Sequence, residues 1–161
     1  MISYEQSKKI LKKAKIKIKD EKINSIKSLN RVVSSNVYSN INYPTGDNAA
    51  FDGYAINSKD TNQIKKNSQK QFKIIGSIAA GSKPLKKKIK KFDAIEIMTG
   101  GILPKGFDTI IPNEQINFYP NKTNKKYILI DQKINKNQHV RFAGSDFKKG
   151  EVILKKNNIV Q

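Results

Sequence analysis

The spacing of apolar residues changes character once along this chain. Near its start, Ile10, Leu11, Ala14 and Ile18 fall on one helical face, which predicts an amphipathic helix over residues 4–18. Ser3 and Gln6 have the spacing of a capping box, in which the two side chains satisfy free amides at a helix start. The stretch INSIKSLNRVVSSNVYSN mixes β-branched residues with Ser and Asn. It predicts a turn or short helix leading into an extended segment near Val32 to Tyr38.

From Asn42 onward the signals become those of strands. GYAINS, QFKIIGSIA, FDAIEIMTG, FDTIIPNEQ, INFY and KYILIDQ are short runs rich in β-branched and aromatic residues, punctuated by GSKP, GGILPKG and YPNKTN. Short strands closely spaced, with no helical periodicity between them, predict a small barrel or sandwich. The last part, HVRFAGSDFKKGEVILKKNNIV, holds a Gly turn, a polar DFKKGE loop and an apolar run from Val152 to Leu154, and predicts a hairpin. The expected fold class is therefore α+β. An elongated mixed domain is built from both chain ends (1–43 and 138–161), and a β-rich, barrel-like domain (44–137) is inserted into it. Pro44 favours a boundary there because the residue before a proline is held extended.

Composition narrows the chemistry. The 161 residues suffice for one medium domain or two small ones, and a mean hydropathy of -0.63 implies a modest core. With no cysteine, neither a disulfide framework nor a thiolate zinc site is available, which fits a reducing compartment. The N-terminal MISYEQSKKILKKAK lacks the apolar core of a signal peptide. No stretch approaches the roughly 20 apolar residues that cross a bilayer, so a cytoplasmic protein without membrane attachment is expected. The formal net charge of +19 and pI near 10.0 would ordinarily suggest nucleic acid. Yet of 32 basic residues only Arg31 and Arg141 are arginine, the side chain suited to bidentate phosphate and base contacts. Lysines spread over the whole chain read as solvated faces, and nucleic acid is not the expected partner. KPLKKKIKK, Lys83 to Lys91, is the one concentrated basic run and reads as an exposed loop.

Three stretches depart from that background. NYPTGDNAAFDGYAI, Asn42 to Ile56, contains no lysine and carries Asp47 and Asp52. Asp-Gly is a hairpin-turn signal; alternatively, two carboxylates on a lysine-free edge would suit magnesium, which takes a few protein oxygens plus substrate phosphates. In IMTGGILPKGFDTII, Ile97 to Ile111, a strand ends in Thr99-Gly100-Gly101. Its amides could approach an anion, or it could be an ordinary glycine turn. In VRFAGSDFKKGEVIL, Arg141 stands five residues before Asp146, so an anion-binding side chain and a carboxylate share a surface, or form a structural ion pair. His139, the single histidine, has no partner cluster and reads as incidental.

In this order the three stretches resemble the N-terminal part of the MoeA family of molybdopterin molybdenumtransferases, which includes the gephyrin E domain. The family's P-x-x-D-N-S-A-M-D-G-Y-A is matched by PTGDNAAFDGYA at Pro44 to Ala55. Its I-x-I-M-T-G-A-x-x-P-x-G-x-D is matched by IEIMTGGILPKGFD at Ile95 to Asp108, and its N-I-R-x-x-G-x-D-x-x-x-G by HVRFAGSDFKKG at His139 to Gly150. SLNRVVSSNVYS upstream resembles a further family element. Gly46 stands where an aromatic is usual, Ala49 replaces serine, Phe51 replaces methionine, and RFAG lacks the usual arginine-rich run.

The resemblance implies an enzyme of molybdenum cofactor biosynthesis. It takes molybdate and adenylated molybdopterin, the latter from an upstream molybdopterin-adenylating protein, cleaves the adenylate with Mg2+, and leaves molybdenum on the pterin dithiolene. By matched position it implies Asp52 and Thr99 as catalytic, with Asp52 a metal ligand, and Arg141, Asp146, Gly100 and Asp47 as substrate-binding. It also implies a homodimer whose site forms between the β-rich domain of one subunit and a pterin-binding domain of the other. A chain ending at Gln161 lacks that domain and is expected to be inactive alone. The alternatives from other classes are a basic β-rich module that binds RNA or another polyanion, and a non-catalytic dimerisation or scaffold domain.

Overall fold

The computed structural model describes residues 2–14, 18–82, 85 and 87–161. Among them lie one α-helix, α1 (Tyr4–Lys13), and ten strands. The strands are β1 (Val37–Tyr38), β2 (Asn48–Ala49), β3 (Gly53–Ile56), β4 (Lys70–Ile78) and β5 (Asp93–Ile97). They continue as β6 (Thr109–Pro112), β7 (Asn117–Pro120), β8 (Lys125–Ile130), β9 (Val140–Arg141) and β10 (Val152–Leu154). The chain divides into two units, Met1–Val37 with Val152–Gln161, and Tyr38–Glu151. No helix among the described residues is long and apolar enough to cross a membrane.

In the first unit, α1 opens with the expected capping box. The Gln6 amide donates to the Ser3 hydroxyl at 3.2 Å and the Ser3 amide to the Gln6 side-chain oxygen at 2.9 Å. The helix stops at Lys13, short of the expected residue 18; Lys15 to Lys17 lie outside the described residues, and Ile18 is not helical. No residue of α1 is buried, so packing adds nothing to hold a longer helix, and short helices are marginal without it. The expected extended segment is present. The Asn30 amide donates to the Val160 carbonyl at 2.8 Å and the Val33 amide to Asn158 at 2.9 Å, with an antiparallel bridge between Val32 and Ile159.

The second unit is built on a six-stranded mixed sheet ordered β6-β3-β5-β4-β8-β7. Each of the six strand-like runs in the sequence supplies one strand. All ladders are antiparallel except β4 with β5. The sheet has core on both faces. Tyr54, Ile56, Phe72, Ala94, Ile111 and Ile128 lie in one buried cluster. The alternating neighbours Ala55, Ile95, Ile97 and Ile110 lie in the other, with Ala49, Ile78 and Phe107. That is why β3 and β6 are buried at every position and read as continuous apolar runs rather than as an alternation.

This sheet is open at β6 and β7 but strongly curled. β3 and β7 stand four strand steps apart, about 19 Å in a flat sheet, yet the Tyr54 and Phe118 rings meet edge-on at 5.7 Å. A register shift in β4 between Ile74 and Ser77 supplies the bend, since a bulge bends a strand and increases its twist. The curl brings Lys125 of β8 to Glu96 of β5 at 2.8 Å and to the Tyr54 hydroxyl at 3.3 Å. Tyr54 in turn donates to Glu96 at 3.1 Å.

Two local expectations change. β9 does not fold back on the Val152–Leu154 run as a hairpin; it pairs with β2, setting Asn48 opposite Arg141 and Ala49 opposite Val140. The DFKKGE turn instead faces the start of the unit, where the Gly150 amide donates to the Ser39 carbonyl at 2.7 Å. Asp52-Gly53 is likewise not a hairpin turn, because β2 and β3 on either side of it pair with β9 and with β5 and β6. Gly53 is needed for another reason. A Cβ there would lie 2.1 Å from the Ile111 carbonyl oxygen, so only glycine lets β3 and β6 approach.

Candidate functional site

All six residues singled out in the sequence lie in the second unit, and backbone hydrogen bonds stitch the segments that carry them. The Leu103 amide donates to the Asp47 carbonyl at 2.8 Å, Ala49 to Gly101 at 3.0 Å, Gly100 to Ala49 at 2.8 Å, and Ala50 to His139 at 3.0 Å. Residues 47–50 thus run between the TGG turn and β9, tied to both. Downstream, the Asn113 amide donates to the Asp52 carbonyl at 3.2 Å and secures the loop to the end of β6.

Asp52 is exposed at the end of this loop, and Thr99 grips it twice. The Thr99 amide and hydroxyl each donate to Asp52 Oδ1 at 2.6 Å. The Thr99 hydroxyl first, and its amide second, hold the Asp52 carboxyl below its ordinary value, outweighing a small opposing effect of desolvation. Asp52 is therefore ionised at neutral pH. Among the described residues nothing donates to Oδ2, which leaves one carboxylate oxygen available in a fixed orientation.

Thr99-Gly100-Gly101 does not form the anion cradle that its glycines permit. The Thr99 amide goes to Asp52, Gly100 to the Ala49 carbonyl, and Gly101 to the Met98 carbonyl at 2.8 Å. None of the three is left for a ligand. Gly100 is required because its φ is +79°, and Gly101 because a Cβ would lie 2.9 Å from the Met98 carbonyl oxygen and the Ile97 side chain. The turn's task is to present Thr99 to Asp52.

Arg141 and Asp146 form an exposed ion pair in which the guanidinium donates to Asp146 Oδ2. That hydrogen bond raises the arginine and lowers the aspartate relative to their ordinary values, so both remain charged. Asp47 braces the same loop: its Oδ1 accepts the Ala143 amide at 2.9 Å. Among the described residues no hydrogen bond joins Asp52 to Asp47, Arg141 or Asp146. The site is thus two constellations, Asp52 with Thr99 and Arg141 with Asp146, linked through backbone.

Sequence reasoning missed the braces. The Ala143 amide and the Asn113 amide carry no local motif signal, and they stand 96 and 61 residues from the groups they serve. His139 also belongs to this neighbourhood. Its ring meets the Phe51 ring edge-on, with centroids 5.0 Å apart.

Comparisons with known proteins show the family. The family described as MoeA N-terminal region (domain I and II) matches residues 2–161. A Haemophilus influenzae protein named molybdopterin molybdenumtransferase is 31% identical over 155 residues, covering 96% of this chain and 36% of that protein. A Staphylococcus aureus protein of the same name is 31% identical over 135 residues, or 83% of this chain and 30% of that one. A crystal structure of a molybdopterin biosynthesis MoeA protein from Pyrococcus horikoshii superposes with a TM-score of 0.81 at 31% identity, covering 99% of this chain and 39% of that one. The chain spans about a third of the length of these curated relatives, 36% and 30%. With a match that runs from residue 2 to residue 161, the chain belongs to the MoeA N-terminal family.

Proposed function

We propose that this chain is the part of a molybdopterin molybdenumtransferase that supplies Asp52 and Thr99 to the insertion of molybdenum from molybdate into adenylated molybdopterin. The observation that carries the proposal is the exposed, ionised Asp52 carboxylate, clasped by Thr99 so that one oxygen stays available. The relatives' shared name supports the reaction class. Since the chain covers about a third of them, 36% and 30%, the activity is that of the whole protein of this kind.

Two observations bear on Mg2+. The described residues contain no group of three His, Cys, Asp or Glu side chains that could hold a metal by themselves. A single oriented carboxylate nevertheless fits magnesium, which takes one or two protein carboxylates and completes its shell with water and substrate phosphate oxygens. Asp52 would hold the ion through Oδ2, and the chemistry such an ion would supply is positive charge to offset that of the phosphates. Thr99 keeps Asp52 aimed. Arg141, oriented by Asp146, has further N–H donors to grip a phosphate or molybdate oxygen near the entrance, while Asp47 and Gly100 hold the two loops in place. In the same reading the β-rich unit is inserted into an elongated α+β unit, the whole protein is a cytoplasmic homodimer, and an upstream adenylating protein provides the substrate.

A chimera tests this: residues 1–161 replace the matching region of the Haemophilus influenzae relative, and molybdate-dependent AMP release from adenylated molybdopterin is measured. Turnover by the chimera, with a loss of about 100-fold or more in Asp52→Asn, is the expected result. Equal turnover with and without the Asp52 carboxylate, in chimeras of equal circular dichroism, would remove Asp52 from the reaction.

A further inference from the structure

We propose that Phe51 and His139 form a stacking corner for a planar nitrogen heterocycle of the substrate, either its adenine or its pterin. The two rings meet at 88° with centroids 5.0 Å apart, so together they offer one ring face to stack on and a second ring at its edge, the arrangements aromatic systems prefer. Phe51 remains 51% exposed and is the residue immediately before Asp52.

The corner is rigidly held. The Ala50 amide donates to the His139 carbonyl at 3.0 Å, and the ladder between β2 and β9 follows directly, with Ala49 opposite Val140. His139 itself sits at φ 55°, in the left-handed region that side-chain-bearing residues seldom occupy and that persists where the surroundings enforce it.

Phe51 also keeps an open ring. Lysines lie over Tyr4, Tyr54, Phe92 and Phe118, whereas among the described residues none lies over Phe51, and the segment around it is free of lysine. Phe51 directly precedes Asp52, and His139 stands two residues before Arg141, so the corner adjoins a guanidinium able to answer the anionic group of a ligand that couples such a group to a flat ring. This rests on the proposed function for the identity of the ring's carrier, and not for the corner itself.

His139 is the single histidine, so its Cε1–H proton gives one assignable NMR resonance. The 161-residue chain is titrated separately with adenosine, AMP, biopterin and inorganic phosphate. Expected is a saturable upfield displacement of that resonance by adenosine and AMP, or by biopterin, which identifies the ring, and none by phosphate. Equilibrium dialysis of the effective ring should show about 10-fold weaker binding to Phe51→Ala and unchanged binding to Lys125→Met. No displacement by any ring, displacement by phosphate alone, or equal affinity in Phe51→Ala would overturn the corner. Ring binding that survives while the chimera fails to turn over would instead overturn the molybdenum reaction and leave the corner standing.

Discussion

Two constellations flank Gly53, built from the same ingredients and doing opposite work. On one side Asp52 accepts a hydroxyl and an amide from Thr99 in the open. On the other, Glu96 accepts the hydroxyl of fully buried Tyr54 and is paired with Lys125, itself packed over the Phe118 ring. In the second cluster the carboxylate has a cation and an aromatic enclosure, so its charge is answered and it fastens the curled sheet. Asp52 has hydrogen bonds but no cation among the described residues, so its charge remains available. The difference teaches that a carboxylate left without a cation keeps its charge available to a ligand, whereas a lysine and an aromatic enclosure turn the same motif into scaffolding.

The sharpest way to break the comparison is to alter the hinge between them. Gly53→Ala would place a Cβ 2.1 Å from the Ile111 carbonyl oxygen. It should cost about 3 kcal/mol or more, read as a lowered urea midpoint, with both constellations displaced. Next in size, Asp52→Asn in the chimera should lower AMP release about 100-fold while lowering the urea midpoint of the chain only slightly. Lys125→Met should do the reverse. Its side chain is 40% exposed, so the loss is about 1 kcal/mol after solvent screening, with turnover preserved.

pH separates the two clusters without any substitution. The folded Asp52 carboxyl is lowered, so its contribution is complete above the unfolded carboxylate value of about 4 and disappears as pH falls below it. Lys125 is raised, chiefly by its hydrogen bond to Glu96 and then by Tyr54. Its contribution is complete below the unfolded lysine value of about 10.4 and disappears as pH rises above it. Thr99→Val should move the Asp52 carboxyl titration, followed by 13C NMR, up toward the ordinary value. The smallest effect belongs to Asp146→Asn. Because the pair with Arg141 is exposed, the thermal midpoint should not move measurably, whereas the AMP-release KM of the chimera should rise.

How much of this could be read from residues alone depended on where each cause lay. The six strands of the sheet were legible because β-branched runs between Gly, Pro and Asn clusters are local signals. Asp52 and Thr99 were legible as motif members, but their clasp joins residues 47 apart in sequence. Asp52-Gly53 was misleading as a hairpin signal because the reason for the glycine is a carbonyl at Ile111. The same holds for Thr99-Gly100-Gly101, whose amides were already occupied by Asp52, Ala49 and Met98. The helix overran because the apolar period of Ile10, Leu11 and Ala14 does not reveal that, among the described residues, none covers their face.

The curl of the sheet has a mechanical side. Between β3 and β7 the curled sheet is bridged by side chains, the Tyr54 and Phe118 rings and the Lys125 ammonium, and not by a ladder of backbone hydrogen bonds. Such a seam is a zip fastener whose teeth are side chains, backed by the buried cluster that joins Ile128 of β8 to Tyr54 and Ile111. A pull on β7 and β8 would part it first, swinging the two strands outward as a flap while every backbone rung of the sheet still holds.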